Sequence, residues 1–202
     1  MTPQTLMFIG RSGSGKGTQA KLLLNYLKEK GAERFYYLES GAKFREFIAG
    51  DGYTSKLSRE INEHGGLQPE FLAIWVWSAL LIQEFMDPSQ HLVFDGTPRR
   101  EVEARVFDSA LAFYKRENPI LFNLDVSREW SRARLKERRR LDDTVDEIER
   151  RLEWYDSEVA AVLTFFKSNP RYRVVDVNGE QSIEEVHKEI VKAVDAQLAS
   201  GH

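Results

Sequence analysis

The sequence predicts an α/β protein in which helices cover both faces of a parallel sheet. Short apolar runs alternate with longer stretches of helical periodicity along the chain. Strands separated in this way by helices form parallel sheets with both faces covered. A glycine-rich turn at residues 10–16 joins the first apolar run to the first helical stretch. The chain has 202 residues, of which 42% are hydrophobic, and this is enough for one domain with a substantial core.

The individual strands and helices are predicted from the spacing of apolar residues. The predicted strands cover residues 5–9, 34–39, 91–95, 119–126 and 171–177, and a turn follows at Asn178 and Gly179. The predicted helices cover residues 15–29, 42–49, 53–63, 68–86, 100–117, 127–139, 142–167 and 183–198. We interpret Trp75 and Trp77, in the helix predicted at 68–86, as packing residues. The single domain is predicted to have a core of 1–41 and 68–202 and an insertion at about 42–67, because that stretch is polar and has no predicted strand.

Composition argues against several classes of function. The formal net charge of −3 provides no positive field for nucleic acid or an anionic membrane. The chain has no cysteine, so disulfides and cysteine-based metal or nucleophile chemistry are excluded and an intracellular location is favoured. No apolar run reaches the roughly 18 residues of a membrane span, and the first residues lack the pattern of a signal peptide. We therefore expect a cytoplasmic protein.

The sequence GRSGSGK at residues 10–16 satisfies the phosphate-binding pattern G-x-x-x-x-G-K. Glycines let the backbone approach polyphosphate, and the N–H groups of the loop and of the following helix attract anions. Lys16 would neutralise the β- and γ-phosphate oxygens. The residue after Lys16 is Gly17 instead of serine or threonine, so the usual hydroxyl ligand of Mg²⁺ is missing or moved to Thr18. The alternative is a chance glycine-rich turn, and the strand before the loop and the helix after it argue against that.

Six short motifs follow one another along the chain. Two of them are GKGTQA at 15–20 and DGTPRR at 95–100. The others are SGAKFR at 40–45, GGLQP at 65–69, RLKER at 134–138 followed by RLDD at 140–143, and RLEWY at 151–155. In their order along the chain they resemble the motifs of adenylate kinase and the related nucleoside monophosphate kinases, whose counterparts of the last four named are T-G-D-x-x-R, G-x-L-V-P, R-L-x-x-R with R-x-D-D, and R-L-x-x-Y.

The resemblance implies a fold and a reaction. The fold is a P-loop three-layer sandwich, with a five-stranded parallel sheet between helices, a small helical insertion that closes over a monophosphate, and a lid that closes over ATP. The lid would be very short, at about 138–142, which leaves no room for a zinc site. The reaction is ATP + NMP ⇌ ADP + NDP, with Mg²⁺ bound to ATP and no zinc. The partners are ATP and a nucleoside monophosphate, and the family favours a monomer.

The resemblance also assigns roles to residues of this sequence. ATP would be bound by Gly13, Ser14, Gly15, Lys16, Gly17, Thr18, Arg134, Arg138 and Gly179. The monophosphate would be bound by Ser40, Gly41, Arg45, Leu67, Gln68, Gly96, Arg99, Glu103, Arg140 and Arg151. The catalytic residues would be Lys16, Arg99, Arg140 and Arg151. Asp95 would orient water ligands of Mg²⁺, and Thr18 is a second candidate near the metal. Phosphoryl transfer needs this kind of set, because it depends on alignment and charge neutralisation, for which the arginine fork is suited.

Glu103 and Gln68 leave the acceptor base open. Glu103 stands where adenylate kinases usually carry a glutamine that reads adenine, and Gln68 replaces the usual valine. A carboxylate only accepts hydrogen bonds, so Glu103 would suit the two neighbouring donors of guanine, unless it is protonated or Gln68 supplies the missing donor. AMP is the first expectation, with GMP, CMP or UMP as alternatives. A P-loop kinase of a non-nucleotide metabolite and a non-catalytic nucleotide-binding regulator are further alternatives.

Eight arginines lie between residues 128 and 151. Four of them lie outside the motifs, and we interpret these as a solvated helical face: Arg128, Arg132, Arg139 and Arg150. Asp142 and Asp143 could be a plain N-cap of the helix that follows. Such a cap could also orient Arg140 and Arg151, and we favour the role linked to the substrates.

Overall fold

A parallel sheet forms the middle layer of the structure, a computed structural model that describes residues 1–64, 66–138 and 144–200. Within these residues the sheet has five strands, in the order β2-β3-β1-β4-β5. They are β1 (Thr5–Gly10), β2 (Phe35–Glu39), β3 (His91–Asp95), β4 (Ile120–Asp125) and β5 (Arg173–Asn178). Every pairing is parallel, and β1 lies between β3 and β4. The predicted α/β class and parallel sheet are confirmed.

Helices cover both faces of this sheet. They are α1 (Lys16–Glu29), α2 (Ser40–Ile48), α3 (Tyr53–Glu63), α4 (Glu70–Glu84), α5 (Glu101–Phe113), α6 (Arg128–Arg138), α7 (Val145–Trp154), α8 (Ala160–Ser168) and α9 (Ile183–Ser200). One core lies between the sheet and α4, α5 and α8. A second core lies between the other face and the pair α1 and α9.

The sequence of β1 explains why both faces must be covered. Successive residues of a strand point to opposite faces. Met7 and Ile9 pack in the core beneath α4, α5 and α8, whereas Leu6 and Phe8 pack in the core beneath α1 and α9. None of these four residues is more than 3% exposed. A strand buried on both sides is apolar throughout instead of alternating, and this holds β1 and the loop after it firmly in the middle of the molecule.

The charged helix predicted at 142–167 is divided in the structure. After α7, a π-helical turn follows at Tyr155–Val159, and α8 then begins at Ala160. The hydrogen bonds of a π turn span one residue more than those of an α-helix, and apolar periodicity alone does not reveal this change. The N-cap of α7 is Thr144, which forms a capping box with Glu147. The plain N-cap interpretation of Asp142 and Asp143 was therefore wrong; both residues lie outside the described part of the chain, and their role towards the substrates stays a prediction.

The helix predicted at 68–86 is α4, and it is shorter at both ends. Pro69 takes the N-cap position with an extended ψ of 144°, because a proline is suited to the start of a helix and not to its interior. The packing interpretation is right for Trp77, which is 1% exposed. It is wrong for Trp75, which is 52% exposed and touches Phe47 with its ring edge.

The polar segment at 42–67 holds most of α2 and all of α3, and its described residues contain no strand. The fully buried residues of α3 are Ser55 and Ser58. The Ser58 hydroxyl donates to the side-chain oxygen of Gln68 at 2.6 Å. Polar contacts thus account for much of what holds this segment in place. In the described part of the chain, no helix has the length and apolar character needed to cross a membrane.

Candidate active site

A cavity of about 540 Å³ opens at the carboxyl ends of β1 and β3, where ligands of parallel sheets bind. All the predicted site residues that the structure describes line it. Those predicted to bind ATP are Gly13, Ser14, Gly15, Lys16, Gly17, Thr18, Arg134, Arg138 and Gly179. Those predicted to bind the monophosphate or to lie near the metal are Ser40, Gly41, Arg45, Leu67, Gln68, Asp95, Gly96, Arg99, Glu103 and Arg151. Arg140 lies outside the described residues.

The glycine-rich loop packs too closely on its neighbours for larger residues. Gly13 has a φ of +85°, and a Cβ there would lie 3.1 Å from the carbonyl oxygen of Ser131 in α6. A Cβ at Gly17 would lie 3.0 Å from the Oδ2 atom of Asp95. The second contact gives a physical reason for the glycine after the lysine. Thr18, the next residue, carries a hydroxyl and also lines the cavity.

Hydrogen bonds hold the side chain of Lys16 inside the glycine-rich loop. Its Nζ atom donates to the carbonyl oxygens of Gly10 at 2.7 Å and Arg11 at 2.8 Å. The pKa of Lys16 is lowered to about 8, chiefly by burial; the charge of Asp95 opposes the shift, and the guanidinium groups of Arg99 and Arg138 contribute to it. The ammonium group therefore sits in a site that favours an additional anion.

Asp95 ends β3 directly beside the loop. It is 7% exposed. Burial raises the pKa of its carboxyl group, and the charge of Lys16 opposes that rise. A buried carboxylate with a cation next to it and a hydroxyl in the same cavity provides the oxygen ligands that Mg²⁺ prefers.

On the other side of the cavity, two arginines converge. A Cβ at Gly41 would lie 3.3 Å from Nη1 of Arg45 and 3.7 Å from Nη2 of Arg99. Nε of Arg99 donates to the carbonyl oxygen of Gly96 at 2.8 Å, and the Ser40 hydroxyl donates to the same oxygen at 2.8 Å. Burial lowers the pKa of Arg99 from its ordinary value. Two guanidinium groups aimed at one point form a site for a phosphate or carboxylate group.

Glu103 lies in the wall behind this pair, on the first turn of α5. It is 4% exposed, and its Oε2 atom accepts a long hydrogen bond of 3.4 Å from the Thr97 hydroxyl. Burial raises the pKa of its carboxyl group, against the opposing charge of Arg99. Gln68, the other unusual residue, has its amide nitrogen donating to the carbonyl oxygen of Ser58 at 2.9 Å. Both side chains thus line the acceptor part of the cavity while bonded to neighbours.

The helices that follow β4 supply the remaining arginines. The guanidinium carbon of Arg134 lies 4.9 Å from the centre of the Trp130 ring. Arg151, on the last turn of α7, donates from Nε to the carbonyl oxygen of Glu147 at 3.2 Å. Arg138 ends α6 at the cavity wall.

These features match a known family of proteins. The family model described as Adenylate kinase matches residues 8–171. The chain belongs to the adenylate kinase family. It is accordingly a nucleoside monophosphate kinase, a nucleotide-binding transferase of the P-loop type.

Curated adenylate kinases match the chain over nearly its whole length. One from Flavobacterium psychrophilum is 28% identical over 198 residues, which cover 94% of this chain and 97% of that protein. Adenylate kinase 1 of a Nostoc species is 30% identical over 185 residues, which cover 92% and 95%. One from Stenotrophomonas maltophilia is 29% identical over 195 residues, which cover 95% and 99%.

The roles assigned from the sequence did not include every residue of the cavity, although some of the others lie within the motifs. Trp130 and Trp154 line it, and each places its ring against one of the arginines, Trp130 against Arg134 and Trp154 against Arg99 at 5.6 Å. Aromatic residues on the predicted helices at 127–139 and 142–167 were the available signal. Arg100 also lines the cavity and donates to the Gln68 carbonyl oxygen at 3.1 Å.

The predicted solvated face of arginines is more ordered than expected. Arg132 of α6 donates to both carboxylate oxygens of Glu149 in α7, at 2.5 and 2.9 Å. Arg150 donates to the carbonyl oxygen of His64, just after α3. These residues therefore join separate elements, instead of only pairing locally along one helix. Arg139 lies outside the described residues.

Proposed function

We propose that this enzyme transfers the γ-phosphoryl group of MgATP to AMP, in the reaction ATP + AMP ⇌ 2 ADP. The observation that supports this best is the arrangement of charge in one cavity. The lysine of a glycine-rich loop, Lys16, lies on one side, and the guanidinium groups of Arg45 and Arg99 converge on the other. Two separate anion sites that face the same space suit a donor and an acceptor phosphate.

The chain's own groups act by alignment and by charge. The loop N–H groups and Lys16 bind the β- and γ-phosphates, and Arg45 and Arg99 bind the acceptor phosphate. Arg138, Arg140 and Arg151 complete the set around the transferring group, and Arg134, backed by the Trp130 ring, stacks on the adenine of ATP. Phosphoryl transfer needs little covalent chemistry from the protein, so the catalytic contribution lies in in-line positioning and neutralisation of developing charge.

Magnesium fits the donor side of this site. Asp95 would hold it through water ligands, and Thr18 offers a hydroxyl in the same cavity. When bound, the ion would help Lys16 and the loop N–H groups to neutralise the charge of the triphosphate.

The polar segment at about 42–67 is proposed to close over the monophosphate, and the very short segment at about 138–142 over ATP. The contact from Arg150 to the carbonyl oxygen of His64 supports such closure, because it joins α7 to the segment that contains α3. Closure excludes water from the transferring phosphoryl group. A monomer in the cytoplasm, with ATP and a nucleoside monophosphate as its partners, remains our prediction for the setting of this enzyme.

The chemistry of Glu103 supports AMP if its carboxyl group is protonated. Burial raises the pKa of this group. A protonated carboxyl has one donor and one acceptor, the same pair that an amide presents to N1 and the amino group of adenine. An ionised Glu103 has two acceptors and would favour guanine. GMP is therefore the second candidate acceptor, because Glu103 would favour it when its carboxyl group is ionised.

The test is a coupled assay of diphosphate formation from MgATP with AMP, GMP, CMP and UMP in parallel. We expect turnover with AMP. Glu103→Gln should raise kcat/KM for AMP by about three- to tenfold and lower it for GMP, since an amide retains the donor at every pH and weakens the acceptor pair. In the unmodified enzyme, kcat/KM for AMP should fall as rising pH ionises Glu103, and this fall should be absent in Glu103→Gln.

Glu101→Gln is the matched control, because it makes the same change two residues earlier on an exposed side chain that pairs with Arg105 at 2.6 Å. Glu101→Gln should leave the preference between AMP and GMP unchanged. Turnover with GMP or a pyrimidine monophosphate in place of AMP would overturn the proposed acceptor. An unchanged preference in Glu103→Gln would show that this residue does not read the base.

A further inference from the structure

The side chain of Arg11, the first variable residue of the glycine-rich loop, contacts four residues: its Nη1 atom lies 3.8 Å from Oδ1 of Asp125, and three further contacts fix the group. Its Nη1 atom donates to the carbonyl oxygen of Val126, just after β4, at 2.6 Å. Its Nη2 atom donates to Oδ1 of Asp156 at 2.6 Å. Its guanidinium carbon lies 4.7 Å from the centre of the Tyr155 ring. A guanidinium group that is bonded through both outer nitrogens and packed against a ring on one face has little rotational freedom.

The backbone of Arg11 holds the reactive part of the loop. Its carbonyl oxygen accepts hydrogen bonds from Nζ of Lys16 at 2.8 Å and from the N–H of Ser14 at 3.1 Å. The anchored side chain and these two bonds belong to the same residue. Where the Arg11 side chain is held therefore influences where the loop places its lysine and its N–H groups.

Asp156 connects this anchor to two other elements of the site. Its second oxygen, Oδ2, accepts from Nη1 of Arg128 in α6 at 3.1 Å. Helix α6 carries Arg134 and Arg138 to the cavity, and α7, which leads directly into the π turn with Asp156, carries Arg151. One carboxylate thus lies where the phosphate loop, α6 and the end of α7 meet.

We infer that Asp156 is a positioning residue that aligns the phosphate loop with the arginine-bearing helices through Arg11. The inference rests on the proposed function to the extent that ATP is the ligand of the loop. It concerns placement of the triphosphate more than stability of the fold. The side chains of Arg11 and Asp156 are 20% and 35% exposed, and ion pairs with this much solvent contact contribute little to stability.

The experiment compares Asp156→Asn with the unmodified enzyme in steady-state kinetics and in calorimetric titration with ATP. We expect KM and Kd for ATP to rise by about three- to tenfold, because residues coupled through one network show effects of that size. We expect KM for AMP to change by less than about twofold. Arg11→Met should raise KM for ATP in the same way, and the effects of the two substitutions should be less than additive in the double variant, since both remove the contact between Arg11 and Asp156.

Asp108→Asn is the matched control. Asp108 accepts from Arg171 at 2.7 Å and from the Tyr172 hydroxyl at 2.9 Å, and its side chain is 26% exposed. The same substitution there removes a similar ion pair beside a tyrosine, and none of these residues lines the cavity. It should leave both KM values unchanged.

A selective rise for ATP in Asp156→Asn, absent in Asp108→Asn, supports the inference. An unchanged KM and Kd for ATP, or an equal rise in KM for both substrates, would overturn it. If the unmodified enzyme binds ATP without phosphorylating any monophosphate, the proposed function fails, and the Kd values for ATP still decide whether Asp156 positions the loop.

Discussion

Lys16 is a cation whose charge depends on the site around it. Its pKa is lowered to about 8, chiefly by burial, so the free enzyme loses this charge as pH rises through 8. A neutral amine no longer neutralises phosphate oxygens. We therefore expect kcat/KM for ATP to be level from about pH 6.5 to 7.5 and to decline above about pH 8, because this ratio reports the ionisable groups of the free enzyme. Steady-state assays at fixed AMP from pH 6.5 to 9.5 measure this.

Lys16→Arg is the informative comparison, because a guanidinium stays protonated throughout this range. Its activity will be lower, since the geometry of the loop is built for an ammonium group, but its kcat/KM for ATP should not decline above pH 8. A level profile up to pH 9.5 in the unmodified enzyme would contradict the role assigned to the lowered pKa.

Residues within one motif could be predicted from the sequence, and residues that act through contacts across the fold could not. The loop at 10–16 is contiguous, so the spacing of its glycines and lysine is enough to indicate phosphate binding. Arg11 and Asp156 lie 145 positions apart, and nothing in either segment indicates that they meet. The same applies to Trp154, whose contact with Arg99 depends on how α7 lies over the cavity.

At the scale of elements, α3 and α2 have no apolar side chain among their buried residues. The fully buried residues of α3 are serines, Ser55 and Ser58, and the fully buried residue of α2 is Ser40. Local opening is easiest where few apolar side chains are buried. We expect amide hydrogen exchange in α2 and α3 to be much faster than in α1, and to slow when AMP is added. Exchange followed by mass spectrometry, with and without AMP, measures both.

Helix α1 is the internal control, because it buries Leu23 and Leu27 in the core beneath the sheet. Its exchange should be slow in both conditions. Equal protection of α3 and α1 without ligand would contradict this account of the segment, and an AMP effect confined to α1 would contradict the proposed closure.

Secondary structure was predicted well where the apolar pattern was strong. The predicted strand at 91–95 has the same bounds as β3, because an apolar run this short, bounded by turns, is typical of a buried strand. The break between α7 and α8 was not predicted. The apolar spacing continues across the π turn, with Leu152, Tyr155, Val159 and Val162 all buried, so the pattern gives no sign that the hydrogen bonding has changed.

At the scale of the whole molecule, the parallel sheet explains why motifs from residue 10 to residue 179 meet in one cavity. The carboxyl ends of parallel strands lie on one edge, and the loops that follow them converge there. The predicted order of strands and helices therefore implied a common site before any contact was known. The registers between strands and the tilt of α6 and α7 depend on side-chain packing, which the order of elements does not determine.

The pairing of tryptophans with arginines makes binding of each substrate optically visible. Trp130 lies against Arg134 on the donor side, and Trp154 lies against Arg99 on the acceptor side. Both rings are partly exposed, so their fluorescence should respond when the adjacent guanidinium binds a ligand. We expect ATP to change the emission of Trp130 and AMP that of Trp154. Trp130→Phe should remove only the first signal and Trp154→Phe only the second.

Trp75→Phe is the control, since that ring is half-exposed on α4 outside the cavity lining, and both signals should persist in it. Trp77 also lines the cavity, so a response to AMP that survives in Trp154→Phe but is lost when Trp77→Phe is added would show that Trp77 and not Trp154 reports the acceptor. If each signal is lost only in its own variant, the enzyme carries a separate intrinsic reporter for each substrate. The order in which the substrates bind could then be followed without any label.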